Sequence, residues 1–132
     1  MSSFLAKIEI DGESYNVLNC RYSFVQGVDS TGKPQATIRG GQIELTVESN
    51  GKSNFIDWML SSEKTKDASI VFYRRDAMSR LQEVKFEKGY CIEFSEEFNS
   101  VNSDPMSIKM LIVAKTITIA NVAFENSWKI GS

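Results

Sequence analysis

The stretch Arg39–Ser49, RGGQIELTVES, changes character within four residues. After Gly40 and Gly41, the residues Ile43, Leu45 and Val47 fall on one parity, and Gln42, Glu44, Thr46 and Glu48 on the other. A period of two puts alternate side chains on opposite faces of an extended chain, so this is a β-strand with one face buried and one solvated. Ahead of it, Gly27–Gly41 reads as a long polar arm. Gly32 and Pro34 interrupt regular pairing, and Val28 and Ile38 are its apolar exceptions. Hairpin connections in compact domains usually take about two to five residues. An arm of this length predicts a function of its own.

The same alternation extends in both directions. FLAKIEI places Phe4, Ala6, Ile8 and Ile10 on one face, and Asp11-Gly12 then reads as a tight hairpin turn. The return segment ESYNVLNCRYSFVQ puts Tyr15, Val17, Asn19 and Arg21 opposite Leu18, Cys20, Tyr22 and Phe24, and its length predicts a bulge. Downstream, DASIVFYRR reads as a strand with an apolar centre from Ile70 to Tyr73, and DAMSRLQ as a connection with room for a helical turn. EVKFEKGYCIEFSEEF reads as a long strand kinked at Gly89, with Val84 and Phe86 before the kink and Tyr90, Ile92 and Phe94 after it. MSIKMLIVAKTITIANVAF is apolar on both parities, which predicts a closed barrel or a subunit interface.

One segment breaks the pattern. In NFIDWMLSS, Phe55, Trp58 and Met59 have helical spacing, and Leu60 extends the same apolar side. Ser53 or Asn54 can cap this helix, with Asp57 in its first turn. The indole of Trp58 reads as a plug between helix and sheet. The expected fold is mainly β: a mostly antiparallel β-barrel or sandwich of strands joined by short turns, with one short helix packed on it, in a single domain over residues 1–132.

Composition narrows function. The net charge is −2, from 15 Lys+Arg and 17 Asp+Glu, so there is no basic face for nucleic acid. The N-terminus lacks the basic start and apolar run of a secretion signal, and no segment is apolar enough to insert in a membrane. The chain contains no histidine, which removes His-based nucleophile systems and most zinc sites. RGGQIE lacks the glycine spacing of a phosphate-binding loop. Glu96 and Glu97 alternate across a strand, while Glu44 and Glu48 sit in a polar row typical of a solvated face. Cys91 has no visible base, and Cys20 and Cys91 read as small strand residues kept as thiols. No catalytic residue, metal or cofactor is expected. Two classes remain: a barrel that binds a small ligand, or a barrel subunit that assembles with copies of itself.

The ordered set SFLAKIEIDGESYNVLNC, STGKP, GGQIELTVES, DWM, TKDASIVFYRRDAMSRLQEVKF, YCIEFSEEF, DPMSIKM and ENSW resembles the Hcp (TssD) tube-protein family of the bacterial type VI secretion system, in its Bacteroidetes form. The resemblance covers almost the whole chain and leaves only the final KIGS outside. It implies two β-sheets curled into a barrel, one helix, and a long extended loop. It also implies homohexameric rings stacked into a tube, with a contractile sheath, a spike and small effector proteins as partners. The chain would be cytoplasmic before firing and then secreted without a signal peptide. The corresponding loop of the family reaches a neighbouring subunit. This makes Val28, Asp29, Thr31, Lys33, Pro34, Ile38, Arg39, Gly40 and Gly41 the expected subunit-contact residues. Within that arm, Val28 and Ile38 would be apolar anchors and Lys33 and Arg39 would meet acidic groups. The alternatives are a tube subunit of another contractile injection or phage-tail-like system, and a monomeric ligand-binding barrel.

Overall fold

A computed structural model describes residues 4–49, 55–74, 76, 79–98, 100–101 and 106–126. Its elements are β1 (Phe4–Ile10), β2 (Glu13–Val28), β3 (Pro34–Glu48), α1 (Phe55–Met59), β4 (Lys66–Arg74), β5 (Arg80–Glu97), β6 (Ser107–Ile119) and β7 (Val122–Glu125). All strand pairs are antiparallel, in the order β3-β2-β1-β4-β5-β6-β7, and β3 also pairs with β6. That last pairing closes the sheet into the expected barrel, removing most of its edges. The expected caps Ser53 and Asn54, and Ala77 and Met78 of DAMSRLQ, lie outside the described residues; Arg80–Gln82, read as the end of that connection, instead open β5.

The inward rows follow the alternation read from the sequence. Ala6, Ile8 and Ile10 of β1, Ile43, Leu45 and Val47 of β3, and Ile70 of β4 are buried. Asp11 and Gly12 turn between β1 and β2 with positive φ at both positions, as a two-residue hairpin requires. In β2 the inward parity switches from Tyr15 and Val17 to Cys20 and Tyr22, so Asn19 and Arg21 point outward. The cause is a bulge: Val17 pairs with Val47, but Asn19 pairs with Thr46.

A similar switch corrects the reading of β5. Lys88 takes a positive φ, and beyond it Gly89 and Cys91 face the core while Ile92 is exposed. In β6, Ile108, Met110, Ile112 and Ala114 are buried; the inward parity then changes so that Ile117 is buried instead. The change falls where β6 exchanges β3 for β7 as its neighbour. Leu111 and Val113, on the outer face of β6, are half-buried.

Helix α1 is anchored through Trp58, which has 0% of its surface exposed. Its ring stacks parallel on Phe86, centroids 6.4 Å apart, and Phe55 bridges it to Tyr15. The indole Nε1–H donates to the Gly89 carbonyl at 3.0 Å, satisfying a polar group that would be costly to bury unpaired. Gly89 is required by this packing: a Cβ there would lie 2.7 Å from the Phe86 ring. Leu60 departs from expectation. It is 78% exposed, because the helix ends at Met59 before the next turn can bring residue 60 to the sheet.

Both cysteines are free, Cys91 buried and Cys20 half-buried. Burial pushes each thiol up to about 11, which suppresses the reactive thiolate at neutral pH. Alkylation by iodoacetamide at pH 7.5 is expected to be slow for native protein and fast after unfolding in denaturant. Rapid labelling of the native chain at either position would contradict the packing described here.

Candidate functional site

The arm expected as an extended loop is itself a β-hairpin. Only 29–33 lie outside strands: Val28 ends β2, opposite Pro34 at the start of β3. Gln26, Val25 and Phe24 pair with Ile38, Arg39 and Gly40. The side chains of 35–40 lie outside the described residues, so the roles expected of Ile38 and Arg39 rest on sequence alone. The polar segment is strand because bulges between Ser23 and Phe24, and between Gln26 and Val28, absorb the irregular register that its glycines and proline impose.

The turn at the tip is built by Asp29. Its Oδ1 accepts from the Thr31 N–H at 2.9 Å, the Thr31 hydroxyl at 2.6 Å and the Lys33 N–H at 3.1 Å. The Asp29 N–H donates to the Lys33 carbonyl at 2.8 Å, and Gly32 N–H to the Asp29 carbonyl at 3.0 Å. The Thr31 hydroxyl above all, then the Thr31 and Lys33 amides, hold the Asp29 carboxyl below its ordinary range. A lowered carboxyl pKa contributes its stabilisation in full above the unfolded value, about 3.9. It loses that contribution as pH falls through the folded value. Asp29→Ala is therefore expected to lower the protection of the Thr31 and Lys33 amides against exchange while the barrel is unchanged, and acidification through the folded pKa is expected to lower the same protection in the wild type, once rates are divided by the intrinsic rate at each pH. Equal exchange in variant and wild type would show that the carboxyl does not order the tip.

The arm leaves the barrel because its two strands lose their outer neighbours. β3 pairs with β6 only from Gln42 onward, and β2 pairs with β1 only through Glu13–Asn16. Beyond those points the hairpin carries exposed apolar side chains, Val25 at 64% and Val28 at 61%.

A second feature was not found from sequence. Strands β2, β3, β6 and β5 are successive neighbours in one four-stranded face. Along β2 from Asn19 to Val25, and along β5 from Cys91 to Glu97, no ladder partner lies on the outer side among the described residues. The two edges bound opposite sides of this face. Edge strands accept further strands. Alternation cannot reveal such edges, because it reports which face of a strand is buried and not which side has a neighbour. Between the edges the outer surface holds an open groove of about 260 Å³, lined by Asn19, Glu44, Thr46, Glu93, Ser95 and Lys109 among others. Arg21 and Glu44 form an exposed pair beside it at 3.6 Å.

No group of three or more His, Cys, Asp or Glu side chains among the described residues converges to hold a metal. No helix among them is long and apolar enough to cross a membrane. The acidic pairs weighed as catalytic do not converge: Glu96 and Glu97 are exposed on β5, and Glu44 and Glu48 lie on β3 bonded to Arg21 and Asn16.

Known proteins point the same way as this geometry. A family model described as hemolysin coregulated protein Hcp (TssD) matches residues 2–129. Among solved structures, Hcp1 from Flavobacterium johnsoniae is 33% identical, with 92% of this chain and 99% of that chain covered and a TM-score of 0.84. Hcp1 from Salmonella typhimurium is 11% identical, covering 89% of this chain and 86% of that one with a TM-score of 0.72. A protein of the sheath-tube complex of the PVC extracellular contractile injection system is 16% identical, with coverage of 89% and 88% and a TM-score of 0.52. These last two show a shared fold. No curated protein matches the sequence.

Proposed function

The chain belongs to the hemolysin coregulated protein Hcp (TssD) family, and from that premise we propose that it is a structural subunit of the type VI secretion inner tube. In this role it forms hexameric rings, which stack into a tube that a contractile sheath propels behind a spike. Small effectors travel in the lumen. The protein is cytoplasmic before firing and is expelled with the tube.

The observation that carries this reading is the four-stranded face with two open edges. Each strand in it runs antiparallel to the next, so β5 runs antiparallel to β2. Setting two copies side by side brings the β5 edge of one against the β2 edge of the other in antiparallel register. The contact joins two different surfaces, so it is heterologous and each added copy repeats it. Such contacts close into a ring when the rotation per copy permits. The arm projects from the same β2 and β3 strands and is free to reach a neighbouring copy, with Val28 as an apolar anchor and Lys33 as its exposed cation.

The interior argues against a ligand-binding barrel. The buried residues are apolar, with no buried polar or charged residue among those described, and Trp58, Phe86 and the isoleucine rows occupy the centre. A small-molecule site needs a few convergent polar groups. Native mass spectrometry and light scattering of the purified protein test the reading. Rings are expected at micromolar concentration, and a protein that stays monomeric at high concentration would overturn it.

A further inference from the structure

The ENSW segment at the end of the chain is used by nothing described so far. Its first two residues, Glu125 and Asn126, lie at the root of the arm. On one side of β6, β3 covers Ser107–Val113 and β7 covers Thr116–Ile119. Between these two ladders the backbone of Ala114 and Lys115 faces a gap, because β3 turns away at Gly41. Asn126 fills that gap. Its amide Nδ2 donates to the Ala114 carbonyl at 2.7 Å, and its backbone N–H to the Lys115 carbonyl at 2.8 Å. The Lys115 ammonium donates back to the Asn126 carbonyl.

Gly41 lies directly against this arrangement. It has φ +80°, and a Cβ there would sit 2.5 Å from Asn126 Nδ2 and 3.2 Å from the Phe124 ring. Phe124 in turn meets Phe24 of β2 edge-on, with centroids 4.9 Å apart. Both strands of the arm are thus held at the level where they leave the barrel, β3 at Gly41 and β2 at Phe24. Gly41 is therefore a crowded and conformationally committed position.

We infer that Asn126 and Phe124 are positioning residues that set the direction of the β2–β3 arm for docking on a second copy of this chain. The inference rests on the assembly role of the arm proposed above. Presenting the arm in one direction removes much of the ordering cost of docking. Asn126 acts on the contact through Gly41 and Phe124 through Phe24; neither need touch the neighbouring copy.

Asn126→Ala and Asn126→Asp remove the amide donor, the second while keeping the shape. Hydrogen exchange of the full-length protein, with rings dissociated at low concentration, reads the arm directly. Arm amides in 24–28 and 35–40 are expected to exchange roughly fivefold faster in both variants, the size set by one lost hydrogen bond, while amides of β1 and β4 keep their wild-type rates. Tube formation is expected to fall in parallel. Phe124→Leu, which keeps an apolar contact for Phe24, is expected to retain most of both. A double-mutant cycle adds a readout that general destabilisation would not move: Gly41→Ala is expected to do less harm in the Asn126→Ala background, where the crowding amide is gone. Unchanged arm exchange in both Asn126 variants, or strict additivity in the cycle, overturns the inference. A loosened arm with undiminished tube formation overturns its link to assembly. If wild-type protein forms no rings at all, the assembly reading fails first, and arm exchange still judges the positioning roles.

Discussion

Trp58→Ala is expected to cost about 3–5 kcal/mol of folding stability, the range for truncating a fully buried large aromatic. The side chain packs between α1 and β5, stacks on Phe86 and donates to the Gly89 carbonyl. Alanine leaves a cavity there, and it strands the Gly89 carbonyl without its indole donor. Typical domains are stable by only about 5–15 kcal/mol, so this single change is expected to bring the barrel close to unfolding at room temperature. Trp58→Phe separates the two contributions. It keeps a stacked ring and loses the hydrogen bond, and is expected to cost about 1–3 kcal/mol. Urea midpoints followed by circular dichroism for the wild type and both variants measure the difference. A midpoint for Trp58→Ala within experimental error of the wild type would show that the helix does not anchor through this residue.

Shortening the arm is expected to separate assembly from folding. Val25 pairs with Arg39, so replacing residues 26–38 with Asn-Gly closes the hairpin at that pair with a two-residue turn. The removed segment contains the Asp29 turn and exposed Val28, and none of the hydrophobic-core residues among those described. Far-ultraviolet circular dichroism and the urea midpoint are therefore expected to stay near wild type. Assembled species in native mass spectrometry are expected to fall by about tenfold or more, as when a single hot-spot contact is lost. Full assembly by the shortened protein would make the arm a passive surface hairpin.

Much of this architecture was legible in the alternation itself. Ile43, Leu45 and Val47 could face only one way once the period was two, and the closed, filled core follows from such rows on β1, β3, β4 and β6. The plug at Trp58 was legible too, because Phe55, Trp58 and Met59 share a helical face in a chain that otherwise alternates. The arm was located but misjudged in kind. Local signals at Gly32, Pro34 and Gly40 mark broken regularity, and a bulged hairpin tolerates all of them. The reading of Ile92 as an inward residue beyond Gly89 failed for a related reason. One bulge reverses every later parity, and a bulge depends on how the partner strand is spaced.

What the amino-acid order determined by itself was thus the sheet, its buried faces and the family. The tertiary structure alone decided which strand edges remain open, where β3 parts from β6, and that Asn126 meets Gly41 from far along the chain. Those features arise from contacts between segments far apart in sequence. Their energies depend on closing the barrel at β3–β6, a pairing that no local period encodes.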